Sequence, residues 1–332
     1  MQEVIPKHQN KNSFLKATTR EEQSLRSLHE LFIKFKIYGS LKSNATIRNY
    51  TYNFYLLLCF KPQLTLTDLT EETIINFFAF LNNRERKVGK KLVVRTYKKS
   101  SIAIVRCSLN CFFEWLLERK YISSNPFKNI PFPSISYSDP RAFSSKEFEK
   151  ICFAVNTKLE WSSLFVKKRN IAIIMFLMFT GVRKEELLNV KISDIDISRK
   201  IICINGETSK SKRTRLIPMS FKLIPYLQDY LNYRSKFACQ YLWVSSTLDR
   251  PFTEYGVKYL INLLSCTTRI NCHLHRFRHT FATNYYMQSH DIIGLKKLMG
   301  HKNLRMTMSY LRSIPDTHIA EQMNKLTMNE FI

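Results

Sequence analysis

Apolar positions along the first third of the chain recur at helical spacing. From Ser24, the residues Leu28, Leu31, Phe32, Phe35 and Ile37 keep a period near 3.6, and a second amphipathic run covers residues 45–60. Thr70 precedes Glu71 and Glu72, which predicts an N-cap with acidic residues in the first turn. A third helix then runs through Ile74, Phe77, Phe78 and Leu81, and a fourth over residues 96–120. These predict an all-helical bundle of ordinary domain size.

The pattern breaks between residues 123 and 140, where four prolines interrupt any periodicity and predict a linker. It resumes at Ser144-x-x-Glu147, a capping box ahead of Phe148, Ile151 and Val155. An apolar helix follows over residues 171–179, Thr180-Gly181 breaks it, and helix resumes over residues 183–190. Residues 192–197, 201–204 and 215–219 read as short strands. Asn205-Gly206 and the basic stretch Lys210-Ser211-Lys212-Arg213-Thr214 compete for the turn before the last of them, and the basic stretch is preferred. Helices return over residues 223–233, 255–264 and 277–287. The expected fold is mainly α with a small antiparallel β-sheet: a flexible start (1–22), a helical-bundle domain (23–124), a linker (125–142), an α+β domain (143–314) and a terminal helix or tail (315–332).

Charge narrows the class. The chain carries 52 Lys and Arg against 26 Asp and Glu, a formal charge of +26, so a polyanionic partner is expected. Residues 1–138 hold 22 basic and 10 acidic side chains and the remainder 30 and 16, so both parts are equipped to touch it. The basic run between the third and fourth helices (Arg84, Arg86, Lys87, Lys90, Lys91, Arg95, Lys98, Lys99), with Lys212 and Arg213, is the expected contact with that polyanion, either nucleic acid or an anionic membrane surface. A membrane is disfavoured, because no run of about eighteen apolar residues occurs and residues 1–16 lack the apolar core of a signal peptide. The eight cysteines form no C-x-x-C pair and sit mostly in apolar runs, which predicts reduced, buried thiols. Cys266, Cys272 and His273 have irregular spacing and no second pair, which argues against a zinc site; no metal is expected.

Candidate chemistry concentrates in residues 274–310. His275, Arg278 and His279 lie within about one helical turn, and His301 and Tyr310 follow. Guanidinium forks and imidazoles grip phosphate oxygens, and a phenol supplies a nucleophile. Five segments carry a resemblance: Thr180-Gly181-Val182-Arg183-Lys184-Glu185-Glu186-Leu187; Ser209-Lys210, eight residues before Pro218; His275-Arg276-Phe277-Arg278-His279; Leu298-Met299-Gly300-His301; and Tyr310. In this order and spacing, over about residues 24–313, the chain resembles the tyrosine recombinase and integrase family of the phage-integrase and Xer type. Val182, Phe277 and Met299 stand where leucine is more usual.

The resemblance implies a helical core-binding domain and a catalytic domain that form a C-shaped clamp on one core half-site. It implies that Arg183 and Arg278 hold the non-bridging oxygens of the scissile phosphate, with His275, His279 and His301 beside them. Tyr310 would attack to give a 3′-phosphotyrosine, Lys210 would protonate the leaving 5′-oxygen, and Glu186 would buttress Arg183. Since His301 and Tyr310 would face opposite ways on one continuous helix, His301 must precede the helix, with Asn303 as its N-cap.

A site-specific recombinase working through a Holliday junction, without cofactors, is therefore expected. Its partners would be double-stranded DNA with paired core half-sites and, on that DNA, three further copies of the chain, while the free protein is a monomer or weak oligomer. It would act in the nucleoid-containing cytoplasm or an organelle's DNA compartment. The alternatives are a sequence-specific DNA-binding protein without catalysis and an enzyme like a type IB topoisomerase. From the short stretch before residue 24 no arm-site domain like that of lambda-type integrases is expected, and the tail is expected to dock on a neighbouring protomer.

Overall fold

Helices dominate the residues described by the computed structural model, which are 24–88, 91–94, 96–132, 142–207 and 212–311. Two small antiparallel sheets complete the architecture, and the chain divides into two units, Met1–Tyr137 and Ser138–Ile332.

In the first unit, α1 (Leu25–Lys34), α2 (Asn44–Phe60) and α3 (Glu71–Asn83) each begin where a hydroxyl satisfies a free N–H. Ser24, Ser43 and Thr70 accept from the N–H groups of Ser27, Thr46 and Thr73. The long helix α4 (Lys99–Glu118) closes the bundle. Leu28, Phe32, Leu57, Ile74, Phe77, Leu81, Phe112 and Phe113 form its core, every one of them buried. By length and composition α4 is apolar enough to cross a bilayer. Its apolar side chains Val105, Leu109 and Leu116 instead join that core. The expectation of an all-helical unit is corrected by a hairpin of β1 (Glu85–Val88) and β2 (Lys91–Val94), in register from Glu85↔Val94 to Val88↔Lys91. The strand-forming valines were hidden among charges in a run read only for its basic side chains.

The second unit is built around α6 (Leu164–Thr180), whose residues from Ile171 to Met178 are all buried, so this helix is apolar all round. It begins seven residues before the expected helix because its first turns carry partnered cations. Lys168 pairs with Asp229, and buried Arg169 donates to the Val244 carbonyl while stacking over Phe252. Packed against it are α8 (Ile224–Arg234) and α10 (Leu274–Ser289), while α5 (Ser145–Phe153), α7 (Lys184–Asn189) and α9 (Glu254–Thr268) contribute side chains to the same core; α11 (Ile292–Met299) and α12 (Leu304–Leu311) follow. The sheet has the order β3 (Ile195–Asp196), β4 (Ile201–Ile204), β5 (Arg215–Pro218), with Ile195↔Ile202 and Ile204↔Arg215 as register pairs. The first strand is shorter than expected because Ile192–Asp194 forms a 3₁₀ turn, closed by the Asp194 carboxylate accepting from Lys191 N–H. Asn205-Gly206 and the basic stretch both fall in the single connection from β4 to β5.

All eight cysteines are unpaired, but the expectation of buried thiols holds only for Cys272; Cys107 and Cys266 are exposed. His273 caps α10, its Nδ1 accepting from Arg276 N–H.

Candidate active site

Helix α6 ends at Thr180, and Gly181 turns the chain with φ of +58°, a left-handed conformation in which a side chain is strained. Arg183 therefore lands in extended backbone at the start of α7, three residues before Glu186. The Glu186 carboxylate is fully buried and receives four donors. Arg183 gives its backbone N–H (2.8 Å) and Nη1 (3.0 Å), and Arg215 gives Nη1 (3.1 Å) and Nη2 (2.8 Å) from β5. Burial works to raise this carboxyl, yet hydrogen bonding and charge from Arg215, then Arg183, hold it at about 2.

Helix α10 presents His275, Arg278 and His279 on one face. Arg278 is 3% exposed and each nitrogen of its fork is engaged. Nη1 donates to the Gly181 carbonyl (2.5 Å), Nη2 to the Met299 carbonyl (2.6 Å) and to His301 Nε2 (3.0 Å), and Nε to the Tyr310 hydroxyl (3.4 Å). Burial lowers its pKa to about 10, and the charge of nearby Arg183 pushes the same way. Arg276 points elsewhere: it grips both Glu147 oxygens at 2.8 and 2.7 Å and stacks on Phe143, tying α10 to the capping box of α5.

Helix α11 stops at Gly300, again left-handed, and the buried His301 lies in the turn before α12. Asn303 Oδ1 accepts from Met306 N–H and so starts that helix. Because a guanidinium only donates, His301 Nε2 accepts from Arg278, and its Nδ1–H donates to Thr307 Oγ1 at 2.9 Å. Burial, then Arg278 and Arg183, lower His301 to about 3, so it is neutral. The Tyr310 ring is 6% exposed and ringed by imidazoles: His279 at 4.3 Å, His301 stacked at 5.5 Å and His275 at 5.8 Å between centroids. His279 is also buried and neutral, lowered to about 4 by burial and by His275, and its Nδ1 has no hydrogen-bond partner.

The structure thus brings together Arg183, Glu186, His275, Arg278, His279, His301 and Tyr310. Lys210 lies outside the described residues, as do Lys90 and Arg95. Arg86, Lys87 and Lys91 lie on the β1–β2 hairpin, Arg84 follows α3, and Lys98, Lys99, Lys212 and Arg213 are exposed. Arg215 and Thr307 were missed. The signal for Arg215 was strand alternation, which puts it on the same side of β5 as buried Ile217; for Thr307 it was the three-residue spacing to Tyr310. Among the described residues no group of three or more His, Cys, Asp or Glu is placed to hold a metal ion. Neighbouring guanidinium groups, neutral imidazoles and a phenol make a receptacle for an anion beside a nucleophile.

Residues 142–316 match the profile of the phage integrase family. The chain is 31% identical over 247 residues to the tyrosine recombinase XerC of Bacillus licheniformis, covering 72% of this chain and 75% of that protein. It is 25% identical over 314 residues to XerC of Bacillus subtilis, with 92% and 96% covered. Among solved structures, the fold is similar to the XerH site-specific recombinase bound to its palindromic difH substrate after cleavage (TM-score 0.66, 20% identity, 91% of this chain and 85% of that one). It is also similar to the Tn1549 transposon integrase in complex with transposon right-end DNA (TM-score 0.71, 15% identity, 92% and 99%).

Proposed function

This chain belongs to the phage integrase family of tyrosine recombinases, enzymes that cleave and rejoin DNA, and we propose that it does so at the cluster around Tyr310. The scissile phosphate enters beside Arg183 and Arg278, whose positive charge offsets the charge that builds as phosphorus becomes five-coordinate. A free phenol has a pKa near ~10, so attack by Tyr310 depends on that positive field. Its hydroxyl gives its proton to one of the imidazoles around the ring as its oxygen bonds to phosphorus, the sugar 5′-oxygen leaves with a proton from Lys210, and a 3′-phosphotyrosine results. The new ester conserves the bond, so a 5′-hydroxyl of the partner strand reverses the reaction without ATP or metal. Two such exchanges pass through a Holliday junction.

We further propose that four copies act on paired core half-sites, with the free protein a monomer or weak oligomer. The enzyme works where the DNA is, in the nucleoid or an organelle's equivalent. A DNA-binding protein without catalysis is not favoured.

The observation that carries the site assignment is Arg278, whose single fork joins the Gly181 turn, Met299, His301 and the Tyr310 hydroxyl. The test uses a duplex recovered by binding selection from a random pool and nicked near the cleavage position. The wild type should become covalently linked to it, and Tyr310→Phe should bind it without linking. A covalent complex formed by Tyr310→Phe would overturn the assignment.

A further inference from the structure

Arg215 has no part in the proposed reaction above, yet its guanidinium makes two bonds to the Glu186 carboxylate where that of Arg183 makes one. Besides its two bonds to Glu186, its Nε donates to the Leu298 carbonyl at 2.7 Å. Its Nη1 packs so closely on Gly300 that a Cβ there would sit 2.9 Å away. One side chain at the start of β5 therefore touches α7, the end of α11 and the turn that holds His301. Its side chain is 8% exposed, against 18% for Arg183.

A carboxylate offers about four lone-pair sites. Arg183 fills two of the Glu186 sites, one of them through its backbone, and Arg215 fills the other two. With those sites taken, Arg183 touches the carboxylate end-on through Nη1 alone. We propose that Arg215 is a positioning residue: by occupying Glu186 it prevents Arg183 from closing side-on onto the same carboxylate, and so keeps that guanidinium available to the scissile phosphate. The inference rests on the reading that Arg183 grips phosphate.

The alternative is an ion pair that only holds the fold together. The two differ in what happens when Arg215 is removed. A side-on, two-bonded guanidinium–carboxylate pair is stronger than an end-on contact, so freed Glu186 oxygens would draw Arg183 away from the phosphate. Making Glu186 neutral would then release it. If Arg215 only braced the fold, a second loss at Glu186 would add to the damage.

Covalent trapping on the selected, nicked duplex is measured for Arg215→Ala, Arg215→Lys, Arg215→Ala with Glu186→Gln, and Arg183→Ala, each as the full chain. Arg215→Ala should slow trapping by about a hundredfold, the scale of a lost transition-state donor, while duplex affinity stays within about threefold. The double variant should recover about tenfold of that loss, and Arg215→Lys, which reaches one oxygen, should fall between. A crystal structure of Arg215→Ala should show Arg183 side-on to Glu186. Trapping by Arg215→Ala within threefold of wild type would overturn the inference, as would a double variant no faster than the single. If Arg215→Ala loses its cooperative melting transition, Arg215→Lys decides: intermediate trapping supports the inference and unchanged trapping overturns it. Normal trapping by Arg183→Ala would instead remove the phosphate reading itself, whereas loss there with an unaffected Arg215→Ala would remove only this inference.

Discussion

With Arg278 at its Nε2 and Thr307 at its Nδ1, His301 carries its proton on the side away from the anion receptacle. A phosphate needs a donor there. The Thr307 hydroxyl can give or accept, so once Arg278 Nη2 turns from His301 to the phosphate, rotating that hydroxyl to donate to Nδ1 lets the neutral ring present Nε2–H to the same anion. Thr307 is fully buried, and water cannot replace it. Thr307→Val should therefore slow covalent trapping about tenfold, the worth of one hydrogen bond in a buried site, while Thr307→Ser stays near wild type; equal rates for the two would dispose of the idea. The same burial fixes an acid response. His279 and His301 sit at about 4 and 3, and His29 in the first unit at about 4, each chiefly through burial and all below the ordinary 6.5. Above about 6.5 neither the folded nor the unfolded chain protonates them, and they leave stability unchanged. As pH falls below that, the unfolded chain takes protons that the folded one refuses, and stability is lost until about 3–4. Glu186, held near 2, adds its own loss as pH falls from the ordinary 4.5 to about 2. Urea midpoints of the full chain should drop between pH 7 and 5. His279→Phe should flatten that slope by up to about 1.4 kcal/mol per pH unit, one proton's worth; an unchanged slope would count against a neutral, buried His279.

The turn at Gly181 shows how an element boundary sets the site. A Cβ at that position would lie 2.4 Å from Phe281 in a backbone conformation already unfavourable for other residues, and the Gly181 carbonyl is an anchor of Arg278. Left-handed strain and overpacking together put the cost of Gly181→Ala at about 2–5 kcal/mol, read as a lower urea midpoint, and both arginines should lose their alignment with it. This turn was visible in the sequence, because Thr180-Gly181 interrupts an apolar run with the residue type that a left-handed cap requires. The capped starts at Thr70 and Ser144 were visible for a similar reason: the signal lies within four residues. What was hidden depends on partners far along the chain. The first turns of α6 look polar until Asp229 and the Val244 carbonyl are placed beside Lys168 and Arg169. Arg215 looks like one more cation in a basic connection until β5 brings it to Glu186, 29 residues away. The β1–β2 hairpin was lost among its own charges, and the role of Thr307 appears only when His301 is folded against α12.

At the scale of the whole chain, the positive charge is distributed over both parts rather than gathered in one. Each phosphate contact made by Lys or Arg releases a condensed counterion, so the slope of log affinity against log salt counts the contacts, at about 0.9 per phosphate. Lys98 and Lys99 at the start of α4 are exposed, as are Lys212 and Arg213 just before β5. If all four meet phosphates, replacing either pair with alanine should reduce the slope by about 2, and replacing both pairs by about 4. The loss in affinity should be nearly the same on the selected site and on unrelated duplex, because phosphate contacts carry no sequence. Fluorescence anisotropy across a salt series measures both quantities. The combined variant is the informative one: its change equals the sum of the pairs only when the two units engage one duplex together, and a change equal to a single pair would confine the electrostatic contact to one unit.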